Sequence, residues 1–243
     1  MQLHTISALT LSAVAAVSAS SEPAKAPIVD DYFPAASGAL EITLDAEGNG
    51  PSYLEFVSDY AELTGQFVTF SKETRQTLAE TEVQLSRSMS VGAEGVQHIT
   101  EVLLSQAGLH LAIESTGGPQ VIRIRDAATE GMDLRSTATH IDIEGLEIAR
   151  KHPAMTFSVV VPLGTSDARL LSNSCRTLIT DAHTMHMIPA GTNSALLVTG
   201  CGDWVYETAQ RLLAFEEQAK IQRALSEKKR AAEAEAAEQK AAK

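Results

Sequence analysis

Alternating apolar and polar positions predict a first block of strands and helices at residues 39–127. The alternation in "ALEITL" is typical of a strand. After it, Leu54 and Val57 recur at helical spacing, with Ser52 as a suitable N-cap and Gly65 as a suitable C-terminal stop. This part of the chain therefore predicts a strand followed by an amphipathic helix.

The rest of the first block predicts two further strands, a second helix and a hairpin. "QFVTF" favours a strand, and "TEVQLSRSM" alternates like a strand with one face in water. The apolar stripe of "AEGVQHITEVLLSQAG" predicts a helix that closes at Gly108. "LHLAIES" and "VIRIR", joined across Gly117 and Gly118, predict a hairpin. The predicted order is β-α-β-β-α-β-β.

A second block, residues 156–217, predicts a smaller β-α-β-β-α unit with a KH-like order. A Val-rich strand comes first, Ser166 is a suitable cap for the next helix, and two short strands flank "PAGTN". Asp203 is a suitable cap for the final helix, whose inward stripe is Val205, Ala209 and Leu212. The expected fold class is α+β, built from two small α/β modules.

Four other segments frame these modules. Residues 1–19 carry an apolar run with small residues before Ala19 and predict a secretory signal peptide, although no Lys or Arg precedes the run. Residues 20–38 are rich in proline and small residues and predict a linker. Residues 128–155 predict a connector with one short helix near residues 144–150. The Ala-, Glu- and Lys-rich tail, residues 218–243, predicts a solvated helix, with a partner-binding helix as the alternative.

Composition narrows the function classes. The net charge of −12 argues against a general nucleic-acid binder, which needs a basic face. The aromatic content of 5% beside a hydrophobic content of 44% suits small modules with aliphatic cores. Neither a Walker-type loop nor a nucleophile elbow nor a dinucleotide-binding glycine pattern occurs, and no pair of carboxylates has an informative spacing. We therefore expect no catalytic site, no cofactor and no small-molecule substrate.

Both blocks resemble periplasmic domains of secretins. From "LEITLDAEGNG" to "VIRIRD" the first resembles the short N-terminal domain of secretins and TonB-dependent transducers, except that "KETRQTLAETEV" stands where that family has a Val-x-Gly turn. The second, with "VVVPLGTSDARLLSNSCRTL" and "MIPAGTNSALLVTG", resembles the ring-building periplasmic repeat of secretins, most distinctively at Asn193, Leu196, Leu197 and Val198.

The resemblance implies docking and assembly without catalysis. Such domains stack as periplasmic rings, so it implies a periplasmic location, protein partners in a secretion or pilus machinery, and a homo-oligomeric ring. After Glu217 no alternating strands follow, so we expect no secretin barrel in this sequence. A signalling module like that of TonB-dependent transducers is the alternative, and the second block argues against it.

The stretch "DAHTMHMIPAGTNSALLVTGCGDW" holds the strongest candidates for a reactive or metal site. At a strand period of two, His183 and His186 point to opposite faces, so a shared metal is not expected. Four histidines elsewhere form no evident site. We expect His98 beside the apolar stripe of its helix, His110 pointing out of its strand, and His140 and His152 in the solvated connector.

The two cysteines leave three readings open. Cys175 lies on an inward helical stripe, and Cys201 lies at the start of the final helix, where a thiol can be activated. They are two structural thiols, or a Cys175–Cys201 disulfide formed in an oxidising compartment, or a reactive Cys201.

Overall fold

The computed structural model describes residues 33–114, 121–191 and 194–241. Within this part the protein is a mixed α+β structure, which confirms the expected fold class. The predicted signal peptide, the turn at Gly117 and Gly118, and Asn193 lie outside the described residues.

The first module contains two small sheets and three helices in the described residues. Its elements are β1 (Leu40–Ile42), α1 (Tyr53–Thr64), β2 (Phe67–Phe70), α2 (Lys72–Glu80), β3 (Met89–Val91), α3 (Val96–Gln106), β4 (Leu109–Ile113) and β5 (Val121–Asp126). β1 pairs antiparallel with β3, and the second sheet has the order β2-β5-β4, in which β4 and β5 form the predicted hairpin.

The predicted ends of the first helix are confirmed. Ser52 Oγ accepts a hydrogen bond from the Glu55 N–H at 3.2 Å, and the Glu55 carboxylate accepts one from the Ser52 N–H at 3.1 Å. Gly65 stops the helix with a φ of 69°, a left-handed conformation that glycine adopts without a steric cost. The apolar face of α1 places Phe56 and Tyr60 in the core.

One predicted strand of the first module is wrong. Only Met89–Val91 forms a strand, and most of "TEVQLSRSM" is irregular. The charged segment before it forms α2, because Ser71 Oγ caps the Thr74 N–H at 3.0 Å and buried Leu78 anchors the helix. Val83 is buried although its backbone is irregular, and Glu82 beside it forms an isolated antiparallel bridge with Ser52.

The second module is built on a four-stranded sheet. Its elements, with those that lead into it, are α4 (Ala127–Ser136), β6 (Thr139–Ile141), α5 (Leu146–Lys151), β7 (Thr156–Pro162), α6 (Ala168–Ser174), β8 (His186–Ala190), β9 (Ala195–Cys201) and α7 (Gly202–Ala241). The strand order is β6-β7-β9-β8, with β6 parallel to β7. The sheet therefore begins inside the segment predicted as a connector, whose short helix is α5.

The final helix is confirmed at its core-facing start. Val205, Ala209 and Leu212 are all 0% exposed. The preceding helix, α6, differs in its cap, because Asp167 and not Ser166 accepts hydrogen bonds from the N–H groups of Arg169 and Leu170. α7 runs on well beyond the core, and its residues 221–234 are exposed.

Candidate interaction surfaces

The stretch with the candidate reactive side chains is divided between a turn, a strand pair and a helix start. His183 lies in the turn before β8, so the prediction that both histidines share a strand is wrong. The carboxylate of Asp181 fixes this turn by accepting a hydrogen bond from the His183 N–H at 2.9 Å. His186 opens β8 and contacts Arg135 of α4. In the described ranges, no three His, Cys, Asp or Glu side chains are grouped so that they could hold a metal ion.

Both cysteines are free thiols in the structure. Cys175 is buried in a 3₁₀ turn after α6, and half-buried Cys201 is the last residue of β9, directly before α7. Burial raises the pKa of both thiols, which disfavours the reactive thiolate. These features favour two structural thiols, and the disulfide stays a prediction.

Two histidine predictions are wrong. His110 is buried at 7% exposure although its strand pattern placed it outside, because the second module covers that face of β4. His152 is buried at 4% exposure, although it lies in the supposed solvated connector. His98 and His140 are exposed, as expected. The two buried histidines both lie at the boundary between the modules.

A buried acid–histidine pair joins the modules at this boundary. Glu101 of α3 is 0% exposed, and its Oε1 lies 2.6 Å from His152 Nδ1. The same oxygen accepts a hydrogen bond from Gln97 Nε2 at 2.6 Å, and Tyr60 donates to Gln97 Oε1 at 2.5 Å. The Phe33 ring stacks on His152 with 4.9 Å between the ring centroids. Such a contact requires a fixed arrangement of α3 and the chain after α5, since a buried carboxylate is costly without its donors.

The turn at residues 152–155 completes the junction, which we define as Glu101, His110 and this turn. The Ala154 N–H donates to Glu101 Oε2 at 3.3 Å, and the Ala154 carbonyl accepts from the Leu111 N–H at 2.8 Å. Met155 forms a parallel bridge with Leu111 of β4. The backbone of the second module thus continues the hydrogen bonding of the first-module sheet.

One face of the second sheet carries an exposed apolar patch. Val160, Leu197 and Ile188 are in register across β7, β9 and β8. Val160 is 40% exposed and Ile188 is 48% exposed, while Val159, Val161 and Val198 of the opposite face are buried. Three aliphatic side chains in one row form a continuous patch, which is more informative than scattered exposed residues. We call these three residues the sheet patch.

The outer edge of β8 is closed to strand addition. Ser172 of α6 donates from its hydroxyl to the Met187 carbonyl at 3.1 Å, so this carbonyl faces away from β9. Pro189, two residues on, faces the same way and has no N–H to offer.

The direction of the long final helix is set by one carboxylate. Glu216 of α7 is 3% exposed, and it accepts hydrogen bonds from the N–H groups of Gly164, Thr165 and Ser166 at 2.9, 2.6 and 3.1 Å. Burial alone would raise the pKa of Glu216, but these hydrogen bonds outweigh it and hold the pKa below its usual range. The loop after β7 is thereby fixed to α7 at the point where the helix leaves the core.

A second ionic cluster fixes α4 to the first module. Glu130 accepts a hydrogen bond from Thr74 Oγ1 at 2.7 Å and forms an ion pair with Arg123 of β5 at 3.4 Å. Arg123 also pairs with Glu114 at 3.3 Å. Since α4 contacts β8 through Arg135 as well, it bridges the two modules outside the junction.

Sequence comparison identifies no relative: no family model matches the chain, and no curated protein matches it. Structural comparison does find similar folds. The chain is similar to the type II secretion system outer membrane complex of Klebsiella pneumoniae, which contains PulD, PulS and the PulC HR domain. The match has a TM-score of 0.53 and 18% identity, and it covers 72% of this chain and 26% of the other.

The chain has the fold of secretin N-terminal domains. Further matches are the N-terminal domain of the secretin XcpQ from Pseudomonas aeruginosa, with 14% identity over 72% of this chain and 63% of the other, and the GspC–GspD complex of enterotoxigenic Escherichia coli, with 13% identity over 72% and 98%. Both have a TM-score of 0.25, so the fold assignment rests on the Klebsiella complex. This chain spans about a quarter of the matched chain of the Klebsiella complex, 26% of its length.

Among the described residues, no helix has both the length and the apolar character that a membrane span needs.

The polar residues that organise the fold carry weak sequence signals. Glu216 continues the spacing of the buried stripe that contains Ala209 and Leu212, and Glu101 precedes buried Leu104 by three residues. A carboxylate inside an apolar stripe is therefore the signal by which both could have been found.

Proposed function

We propose that this chain is a non-enzymatic protein–protein interaction and assembly module of a secretin-type secretion or pilus system, and that it acts in the periplasm. The observation that carries the proposal is the fold match to the Klebsiella secretion complex, which covers 72% of the chain and so includes parts of both modules. That complex contains PulD, PulS and the PulC HR domain. By analogy, the partners of this chain are proteins of an envelope machinery.

The sheet patch supports an interaction role. Val160 of the inner strand β7 and Ile188 of the edge strand β8 remain exposed on one face of a well-paired sheet. Burial of aliphatic surface stabilises association by roughly 25 cal/mol per Å² before the cost of binding is subtracted. A signalling role like that of TonB-dependent transducers would involve the first module alone and would leave the second sheet without a function.

The test combines location with cross-linking. The full chain is made in cells that contain the secretion or pilus machinery, the cells are fractionated, and cross-linked products are identified by mass spectrometry. We expect the chain in the periplasmic fraction, cross-linked to a secretin or to an inner-membrane component of the same system. A cytoplasmic monomer that cross-links to neither contradicts the proposal.

A surface variant with a matched control sharpens the experiment. Ile188→Asp puts a charge at the β8 end of the sheet patch and should reduce the cross-linked fraction at least tenfold, which corresponds to about 1.4 kcal/mol. Leu170→Asp is the control, because Leu170 is 69% exposed on α6 and does not belong to the patch. Equal loss in both variants would show that the patch has no special part in binding.

A further inference from the structure

Glu101 holds the turn at residues 152–155 of the junction through several hydrogen bonds. Gln97 Nε2 and the Ala154 N–H donate to its carboxylate, and His152 Nδ1 lies 2.6 Å from it. His152 is the titratable group in direct contact with Glu101, and the bond between the two is kept whichever partner carries the proton. Tyr60 reaches Glu101 only through Gln97. The Glu101 contacts therefore fix the position of the turn against α3.

His110 makes the junction sensitive to acid. Its ring hydrogen-bonds the Ala154 backbone, which leaves Nδ1 buried and without a hydrogen-bond partner among the described residues. Burial lowers the pKa of His110, while this hydrogen bond and the nearby carboxylates of Asp181 and Asp126 act in the opposite direction and are outweighed. The neutral imidazole is thus the form that fits the closed junction.

Glu101 and His110 act on the same small element. Glu101 holds the Ala154 N–H, and His110 contacts the Ala154 backbone beside the Leu111 N–H that binds its carbonyl. Ala154 is 0% exposed, so water does not reach these groups while the junction is closed. We propose that the junction is an acid-sensitive lock, which holds the two modules in one arrangement near neutral pH and releases them when the buried His110 ring takes up a proton.

The direction and size of the effect follow from linkage. A histidine with a lowered pKa in the closed form contributes its full stabilisation above its ordinary pKa of about 6.5, and this is lost as the pH falls below that value. If only the open form of His110 binds a proton, opening becomes up to about 30-fold more favourable at pH 5.0.

The experiment is hydrogen exchange of the full chain, measured by mass spectrometry at pH 7.5 and pH 5.0 and corrected for the intrinsic effect of pH on exchange. We expect peptides with the Leu111 amide to exchange about 10- to 30-fold faster at pH 5.0. Peptides with the β7–β9 pair Val159 and Val198 are the reference and should keep their protection. Small-angle scattering should show a larger radius of gyration at pH 5.0.

Variants assign the effect to the junction. His110→Gln keeps a donor for the Ala154 carbonyl but does not titrate, so the response to pH should fall below about threefold. His140→Gln removes an exposed histidine of β6 and should keep the full response. If His110→Gln does not fold, the comparison of the Leu111 peptides with the reference peptides in the wild type still tests the proposal. Unchanged Leu111 exchange at pH 5.0, or an equal rise in both peptides, overturns the proposal.

Discussion

Replacement of Glu216 is the sharpest test of how the final helix is anchored. Glu216→Ala leaves three backbone N–H groups, those of Gly164, Thr165 and Ser166, without their carboxylate acceptor. An unsatisfied buried donor costs about 1–3 kcal/mol. Because Gly164 is exposed and its two neighbours are half-buried, water can replace part of the loss. We therefore expect a decrease of about 2–4 kcal/mol in the free energy of unfolding.

Urea unfolding followed by the fluorescence of Trp204 measures this change in the second module. Trp204 is the only tryptophan of the chain, and its Nε1 donates to the Leu178 carbonyl at 2.8 Å, so its emission reports on α7 and the 3₁₀ turn after α6. Glu217→Ala is the matched control, since Glu217 is exposed on the same helix and forms only a surface ion pair with Lys220 at 3.7 Å. The control should change stability by less than about 0.5 kcal/mol.

The pH dependence gives a second, independent signature. Since its pKa is lowered in the folded chain, Glu216 contributes its full stabilisation above the ordinary glutamate pKa of about 4.3 and loses it as the pH falls through the folded value. The difference between the wild type and Glu216→Gln should stay constant from pH 8 to pH 5 and shrink below about pH 4.3. Equal destabilisation by Glu216→Ala and Glu217→Ala, or a difference that does not change in acid, would refute the reasoning.

Three further predictions concern packing, thiols and the tail. Gly202→Ala should destabilise the chain by about 3 kcal/mol or more, because a Cβ there would lie 2.2 Å from the Ala149 carbonyl oxygen, whereas Gly92→Ala, with no atom within 4 Å, should cost less than about 0.5 kcal/mol in the same urea titration. Alkylation in denaturant without reductant should modify both Cys175 and Cys201, and modification of neither until reductant is added would establish the disulfide. Removal of residues 221–243 should lower the helical circular dichroism but leave the Trp204 unfolding midpoint unchanged, since residues 221–234 are exposed; a shifted midpoint would show that the tail contacts the core.

The sequence predicts elements well where a repeating pattern coincides with local chemistry. The helix after Ser52 has a capping residue, an apolar stripe and a terminal Gly65, and all three are found in the structure. The strand predicted at "TEVQLSRSM" fails over most of its length, because Val83 is buried and Leu85 partly buried from a backbone that is irregular until Met89. Short apolar alternations cannot distinguish a strand from a loop whose side chains are anchored in the core.

The sequence pattern does not predict the junction, and the physical reason is a different one. His110 alternates outward with respect to the first module, yet it is buried because a second module packs on that face. His152 lies in a segment without periodicity, and its burial depends on Glu101, which is 51 residues away in the chain. A periodicity argument reports only the face that an element turns to its own module, so contacts between modules are invisible to it.

The exposed and the buried polar features of this chain point to one organisation. Glu216 and the junction use buried carboxylates to fix where α7 leaves the core and how the modules meet, and both satisfy the carboxylate with backbone N–H groups. Hydrogen-bonded buried charges of this kind gain little stability over apolar packing, but they fix direction. The sheet patch, by contrast, stays exposed on a sheet whose β8 edge is closed. Under the proposed function, the exposed patch is the face that contacts a partner, and the two buried carboxylates fix the angle at which that face is presented.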